Sequence, residues 1–318
     1  MRRYRLGAAE VASEIALSGL PDAAGVADVV ICIRRGAPAD GLEWLEHPEG
    51  SELTPDWAKV EYWRSSDGGW YRLRYDYRGH VADFGIRSDG CEITVQAGEG
   101  ETDAEIANLI EGPILGRALR LAGRPCVHAT ALAAEGRAIA LMGASGVGKS
   151  SLAWALIDEG CRLVTDDLVG LVGDADGFLV QPGRARLRMW PDSARRLGVS
   201  DATATTLFPT TTEMAKVSVH DPARFQATPV RLHAIYRMTP RIAGLAEPLI
   251  EDLPPGERLA ELAANLIGMI TPGREQRRQE LSLLARVAAA TPIRTLSLPD
   301  DLDALPAMAA LLRRRLFA

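Results

Sequence analysis

Short apolar runs broken by turn residues mark the first hundred positions of the chain as strands. Ala27-Asp-Val-Val-Ile-Cys-Ile33 reads as a buried strand ending at Arg34-Arg-Gly36. Val60-Glu-Tyr-Trp63 and Trp70-Tyr-Arg-Leu-Arg-Tyr-Asp-Tyr77 flank Ser65-Ser-Asp-Gly-Gly69, the composition of a hairpin turn. Ser88-Asp-Gly90 marks a further turn before Cys91-Glu-Ile-Thr-Val95. From Thr102 the period lengthens to that of a helix running to Ala122, with Thr102 and Glu105 spaced as a capping box and Pro113 placed to kink or split it. The change of period near residue 100 suggests a strand-rich N-terminal domain over 1–100 and a second domain over 101–318.

Strand and helix signals then alternate. A strand through Val127-His-Ala-Thr-Ala-Leu132, a turn at Glu135-Gly136 and the apolar run Ala138-Ile-Ala-Leu-Met142 lead to a glycine-rich stretch. Beyond it, Leu152, Ala155 and Leu156 stand at helical spacing with Gly160 as a stop, and Arg162-Leu-Val-Thr165 reads as another strand. Leu168-Val-Gly-Leu-Val172 and Phe178-Leu-Val180 flank a turn at Asp174-Ala-Asp-Gly177, the threonine-rich stretch 200–215 reads as a mobile loop, and helices are expected over about 255–269, 273–290 and 301–316.

The glycine-rich stretch carries the chemistry. Gly143-Ala144-Ser145-Gly146-Val147-Gly148-Lys149-Ser150 spells a phosphate-cradling loop between a strand and a helix, the setting that pattern requires. Its glycines let backbone amides turn toward phosphate oxygens, and the helix N-terminus adds partial positive charge. Lys149 reaches the outer phosphates, and the Ser150 hydroxyl can hold Mg²⁺. The candidate nucleotide-binding set is therefore residues 143–150 with Ser151, and the cofactors expected are ATP and Mg²⁺.

Lysine usage supports this. Only Lys59, Lys149 and Lys216 are lysines among 36 basic side chains, so Lys149 stands where a compact ammonium is wanted. Asp166-Asp167 follows seventeen and eighteen residues after Lys149, at the end of a strand expected to return beside the loop strand. One carboxylate there can serve Mg²⁺ while its neighbour takes a proton from an attacking hydroxyl. His128, in the strand before the loop strand, has a packing reading and a functional one.

The bulk properties narrow the partners. A net charge of −6 argues against general nucleic-acid or anionic-membrane binding, and no apolar run reaches the roughly 18 residues of a membrane span. Cys32, Cys91, Cys126 and Cys161 are far apart in apolar contexts, which suggests a reduced, cytoplasmic protein without a zinc site. The tryptophans at 44, 57, 63 and 70 read as packing residues.

Val127-His128, the loop 143–150 and Gly160-Cys-Arg-Leu-Val-Thr-Asp-Asp-Leu-Val169 together resemble the core of HPr kinase/phosphorylase and its relatives. The resemblance implies an α/β chain, α+β overall, with a P-loop core of the HPr kinase and phosphoenolpyruvate carboxykinase type, a β-rich N-terminal region and C-terminal helices. It implies that Ser150 and Asp166 hold Mg²⁺, that Asp167 is the base, and that His128 lies near it. The family's Glu-Ile-Arg-Gly segment has Arg186-Leu-Arg188-Met-Trp190 as its nearest counterpart, which keeps an arginine in Arg188 and lacks the glutamate. Arg184, Arg188 and Lys216 are candidates for charge developing on the γ-phosphate. The opening Tyr4-Arg-Leu-Gly and Leu187-Arg-Met-Trp-Pro-Asp-Ser193 resemble HPr-kinase-like proteins associated with lasso-peptide biosynthesis.

The function expected is transfer of a γ-phosphate to a serine hydroxyl of a peptide or small protein. HPr itself, a small molecule, or ATP binding without transfer are the alternatives, and the resemblance allows a homo-oligomer.

Overall fold

The computed structural model describes residues 1–23, 27–38, 41–53, 58–77, 79–200, 204–206, 216–268 and 273–318. They form two compact units, Met1–Pro125 with Ile267–Arg277, and Cys126–Leu266 with Arg278–Ala318. Trp57 and most of the stretch 200–215 lie outside the described residues.

The first unit is built on β1 (Arg2–Leu6), β2 (Ala9–Ser13), β3 (Val29–Arg35), β4 (Gly50–Leu53), β5 (Lys59–Arg64), β6 (Trp70–Tyr77), β7 (His80–Arg87) and β8 (Glu92–Ala97). Among the described residues these make one eight-stranded sheet in the order β1-β2-β3-β8-β7-β6-β5-β4. Alternation puts Val60, Leu73, Tyr75, Ala82, Phe84 and Ile86 on the buried face. Two short helices, α1 (Asp103–Leu109) and α2 (Leu115–Leu121), are joined by a π-turn over Ile110–Ile114 that holds Pro113. The Thr102 hydroxyl accepts from the Glu105 amide and the Glu105 carboxylate accepts from the Thr102 amide, as the capping box predicts. This helical pair belongs to the first unit: Arg117 donates to the Tyr75 hydroxyl at 2.9 Å, and Gly19 donates to Glu111 at 2.8 Å.

The second unit runs through β9 (Cys126–Val127), β10 (Ala129–Ala134), β11 (Arg137–Met142), α3 (Lys149–Asp158), β12 (Arg162–Thr165), β13 (Val169–Asp174), β14 (Gly177–Val180), β15 (Leu187–Met189) and α4 (Pro191–Arg196). It continues with β16 (Ala204–Thr206), β17 (Val217–Val219), β18 (Val230–Met238), β19 (Leu249–Asp252), α5 (Pro255–Ala264), α6 (Arg274–Ala290, from Arg278 onward), β20 (Ile293–Ser297) and α7 (Leu305–Leu316). The main sheet has the order β12-β10-β11-β18-β14-β13-β9, and β20 carries β19 onto the far edge of β18. β15, β17 and β16 form a separate small sheet.

Period-two alternation on β11 sends Ile139 and Leu141 to a core completed by α3 and α7, and Ala138, Ala140 and Met142 to one completed by α5 and α6. Helices on both faces explain why β10 and β11 are almost uniformly apolar. The architecture is α+β. Among the described residues no helix is long and apolar enough to cross a membrane.

Two expectations differ from what is found. The strand through 127–132 is broken at His128 into β9 and β10, because the His128 amide donates outside the sheet to the Asn265 carbonyl at 2.7 Å. β12 does not pair with the loop strand. β10 lies between them, antiparallel to both, since the tight turn at Glu135-Gly136 claims that edge of β11 first.

Candidate functional site

The glycine-rich loop leaves β11 at the point where its parallel neighbour β18 also ends, Met142 standing opposite Arg237. Gly143, at φ +144°, lies so close to the Met238 carbonyl that a Cβ would come within 2.9 Å of it. Gly146 and Gly148 take φ of +83° and +105°, left-handed conformations open to glycine at little cost. Gly148 caps α3, so the amides of the first turn, at Lys149, Ser150 and Ser151, have no partner within the helix. Ala144, Ser145 and Gly146 are exposed, Val147 packs on the core, and Ser151 is buried.

Lys149 is 8 % exposed and folds back on its own loop, donating from Nζ to the Gly143 carbonyl at 2.6 Å and the Ala144 carbonyl at 3.1 Å. Burial pulls its pKa down, while the carboxylates of Asp167 and Asp166 pull it up. The loop lysine and the acidic pair therefore lie in one electrostatic neighbourhood.

Asp166 and Asp167 sit in the turn after β12. The Thr165 hydroxyl staples that turn, accepting from the Arg184 amide at 3.1 Å and donating to the Leu168 carbonyl at 3.0 Å. Asp167 takes φ of +66°, which a carboxamide or carboxylate side chain tolerates better than most. The two carboxylates have different surroundings. Asp166 is 1 % exposed, accepting from the Thr130 hydroxyl at 2.6 Å and the Arg188 amide at 3.1 Å. Burial and the neighbouring charge of Asp167 push its pKa up to about 6.

Asp167 accepts from Arg188 Nη2 at 2.6 Å and Nε at 3.0 Å, and lies 3.4 Å from Arg184 Nη1. Its other oxygen is 3.9 Å from Nδ1 of His128. Burial alone would raise its pKa, but the charges of Arg188, His128 and Arg184 overcome this and hold the carboxyl well below its usual range. His128 is itself half-buried, and burial lowers its pKa against the pull of Asp167.

The small sheet brings up the remaining cations. Arg188 pairs with Ser218 and Met189 with Val217, so the next residues, Trp190 and Lys216, meet across the ladder. Lys216 Nζ stands 4.9 Å over the Trp190 ring, and its charge acts on both His128 and Lys149. All the candidate residues named from the sequence thus lie in the second unit, and Asp167, His128, Arg188 and Arg184 meet around one carboxylate. Thr130 was not singled out: a lone threonine in an apolar strand has no spelling that marks it. Among the described residues no group of three His, Cys, Asp or Glu side chains could hold a metal by itself.

Residues 119–188, which contain the loop, the acidic pair and Arg188, match the family described as HPr Serine kinase C-terminal domain. The HPr kinase/phosphorylase of Lachnoclostridium phytofermentans is 33 % identical over 97 residues, 30 % of this chain and 31 % of that protein. That of Clostridium beijerinckii is 39 % identical over 85 residues, 26 % of this chain and 27 % of that one. The chain thus spans about three tenths of the length of the curated relatives it matches. The solved HPr(Ser) kinase/phosphatase from Coxiella burnetii aligns with a TM-score of 0.31 and 15 % identity, over 60 % of this chain and 94 % of that one. The glycine-rich loop, the acidic pair and Arg188 thus lie in the stretch of this chain that is similar to the HPr Serine kinase C-terminal domain.

Proposed function

We propose that the protein is an ATP- and Mg²⁺-dependent kinase that transfers the γ-phosphate to a serine hydroxyl of a peptide or small protein. One observation carries the reading: Asp167, set among Arg188, Arg184 and His128, shares an electrostatic neighbourhood with the lysine of a phosphate loop. A loop for phosphate alone needs no such carboxylate. Phosphoryl transfer needs a group that orients the hydroxyl and takes its proton, beside cations that balance charge on the transferred group.

The residues fit a nucleotide triphosphate. Gly143 leaves no room for a side chain beside Met238, and the first-turn amides of α3 have no helical partner to satisfy them. Ser150, at the start of α3, and Asp166, at the end of β12, would hold Mg²⁺, the rest of its shell being water and phosphate oxygens. When bound, Mg²⁺ would neutralise charge on the β- and γ-phosphates. Lys149 exchanges its loop carbonyls for phosphate oxygens. Arg188 and Arg184 bracket the space beside Asp167, where they can balance charge on the group in transit. Asp167 is ionised throughout the physiological range, accepts the hydroxyl proton and keeps the acceptor oriented; His128 orients Asp167 from its other oxygen.

A serine of HPr and a C-terminal serine of a lasso-type precursor peptide are the two acceptors to offer. Intact-mass measurement with Mg²⁺-ATP, using Lys149→Ala and Asp167→Asn as controls, tests the reading. A gain of one phosphoryl mass on either acceptor, absent in both variants, supports it. ATP binding without product on any hydroxyl would instead favour a nucleotide-binding regulatory protein. The tight hold of Arg188 on Asp167 and the missing glutamate speak for that alternative.

A further inference from the structure

The nucleotide's phosphate end and its nucleoside end must leave the loop in opposite directions. On one side of β11 lie β10 and then β12, whose end carries Asp166 and Asp167. If the γ-phosphate faces that pair, the nucleoside lies over the other side, where β18 and β20 end.

The turn that follows β18 is built there and firmly held. The Ile242 amide donates to the Leu298 carbonyl at 2.9 Å, and the Asp300 amide donates back to the Ile242 carbonyl at 3.2 Å. Thr239 bonds Ser297 through their hydroxyls at 2.8 Å. Two loops, after β18 and after β20, are thereby stitched into one ledge. On that ledge Arg241 is anchored through Nη1 to the Pro299 carbonyl at 3.3 Å. Its Nη2 is the atom nearest the open face of Gly148, 3.5 Å from where a Cβ would stand. Ile242, beside it, is 42 % exposed, and its backbone is held at both amide and carbonyl. A half-buried guanidinium, costly to desolvate, is thus kept against the helix-capping glycine of a phosphate loop, with an uncovered apolar side chain next to it.

We infer that Arg241, on the ledge formed by Thr239–Ile242 and Pro299–Asp300, contacts the nucleoside half of the bound nucleotide and sets affinity for it. The inference rests on the loop being a nucleotide site, as proposed above. A planar guanidinium suits this place because it can lie flat on a base or reach ribose oxygens, which an ammonium cannot do equally well.

Calorimetric titration of the full chain with Mg²⁺-ATP and, separately, with inorganic tripolyphosphate tests it. Wild type should bind both, and Lys149→Ala should weaken both. Arg241→Ala should weaken ATP about tenfold and leave tripolyphosphate unchanged, a contrast that also shows the variant to be folded. Arg241→Lys should recover little of the loss. Equal weakening of the two ligands in Arg241→Ala, or no weakening of ATP, overturns the inference while leaving the phosphate site intact. Failure of wild type to bind either ligand removes the nucleotide-site reading and the inference with it.

Discussion

Arg188 holds Asp167 by a single oxygen, donating both Nη2 at 2.6 Å and Nε at 3.0 Å to Oδ2, while Oδ1 is left toward His128. The backbone amide of the same arginine donates to Asp166, so one residue of β15 organises both carboxylates at the end of β12. An acid gripped in this way is a weak base. It gains basicity when the guanidinium turns to another anion, and a γ-phosphate at the loop is the anion the proposed reaction would bring.

Removal of this grip should cost stability and turnover separately. Arg188→Ala leaves Asp167, 19 % exposed, with Arg184 and His128 still beside it, so the loss should be about 2 kcal/mol, below that of a wholly buried pair. Urea denaturation reads that term. Turnover should fall on the order of a hundredfold, because charge on the transferred group loses its partner. A variant as stable as wild type and as active would show that the contact does neither.

The loop glycines should not be equivalent. Alanine at Gly146 meets open space and pays only for the left-handed backbone at φ +83°, about 1 kcal/mol. Alanine at Gly143 pays for φ +144° and also pushes against the Met238 carbonyl of the neighbouring strand, about 2–3 kcal/mol in all. Thermal midpoints of the two variants should therefore order as Gly146→Ala above Gly143→Ala. The reverse order would mean that β11 and β18 part easily at their ends.

Much of this site could be read in the chain because its parts are local. The loop's glycines, lysine and serine are contiguous, and Asp166-Asp167 is separated from them by one helix and one strand. Arg188 was nameable because it stands in a short segment with a resembling spelling. What could not be read depends on partners distant in sequence. Strand β18 pairs with the loop strand and β20 pairs with β18, yet neither carries a motif, and beyond about residue 255 the periodicity reads only as helices. Arg241 is one arginine among many until β18 delivers it to Gly148. The insertion of β10 between β11 and β12 was equally invisible, since pairing depends on which strand reaches an edge first.

Thr130 is the least conspicuous member of the site and should be among the most sensitive. It is wholly buried, and its hydroxyl donates to Asp166 Oδ1 at 2.6 Å. Thr130→Val keeps the shape and leaves a buried carboxylate oxygen short of a donor, at a cost of about 1–3 kcal/mol. Thr130→Ser restores the donor and should recover most of that. Equal unfolding free energies for the valine and serine variants would show that the hydroxyl contributes little.

Cysteine chemistry gives a test independent of nucleotide. None of the four cysteines is in a disulfide; Cys126 and Cys161 are buried, whereas Cys32 and Cys91 are partly exposed. Burial pushes the Cys126 thiol up to about 12, and burial likewise raises Cys161 to about 11. Alkylation of the folded protein at pH 8 should therefore modify Cys32 and Cys91 first, with Cys126 and Cys161 reacting only after unfolding, as peptide mass mapping would report. The same shifts fix a sign for stability. Between the ordinary thiol pKa of 9.0 and about 12, the unfolded chain has released the Cys126 proton and the folded chain retains it. The folded state then binds more protons, so stability falls as pH rises through that window. Replacement of Cys126 by valine removes this contribution, and its unfolding free energy should decline less steeply from pH 8 to 10 than that of wild type. Identical slopes for the two proteins would mean that the thiol is not held protonated by its surroundings.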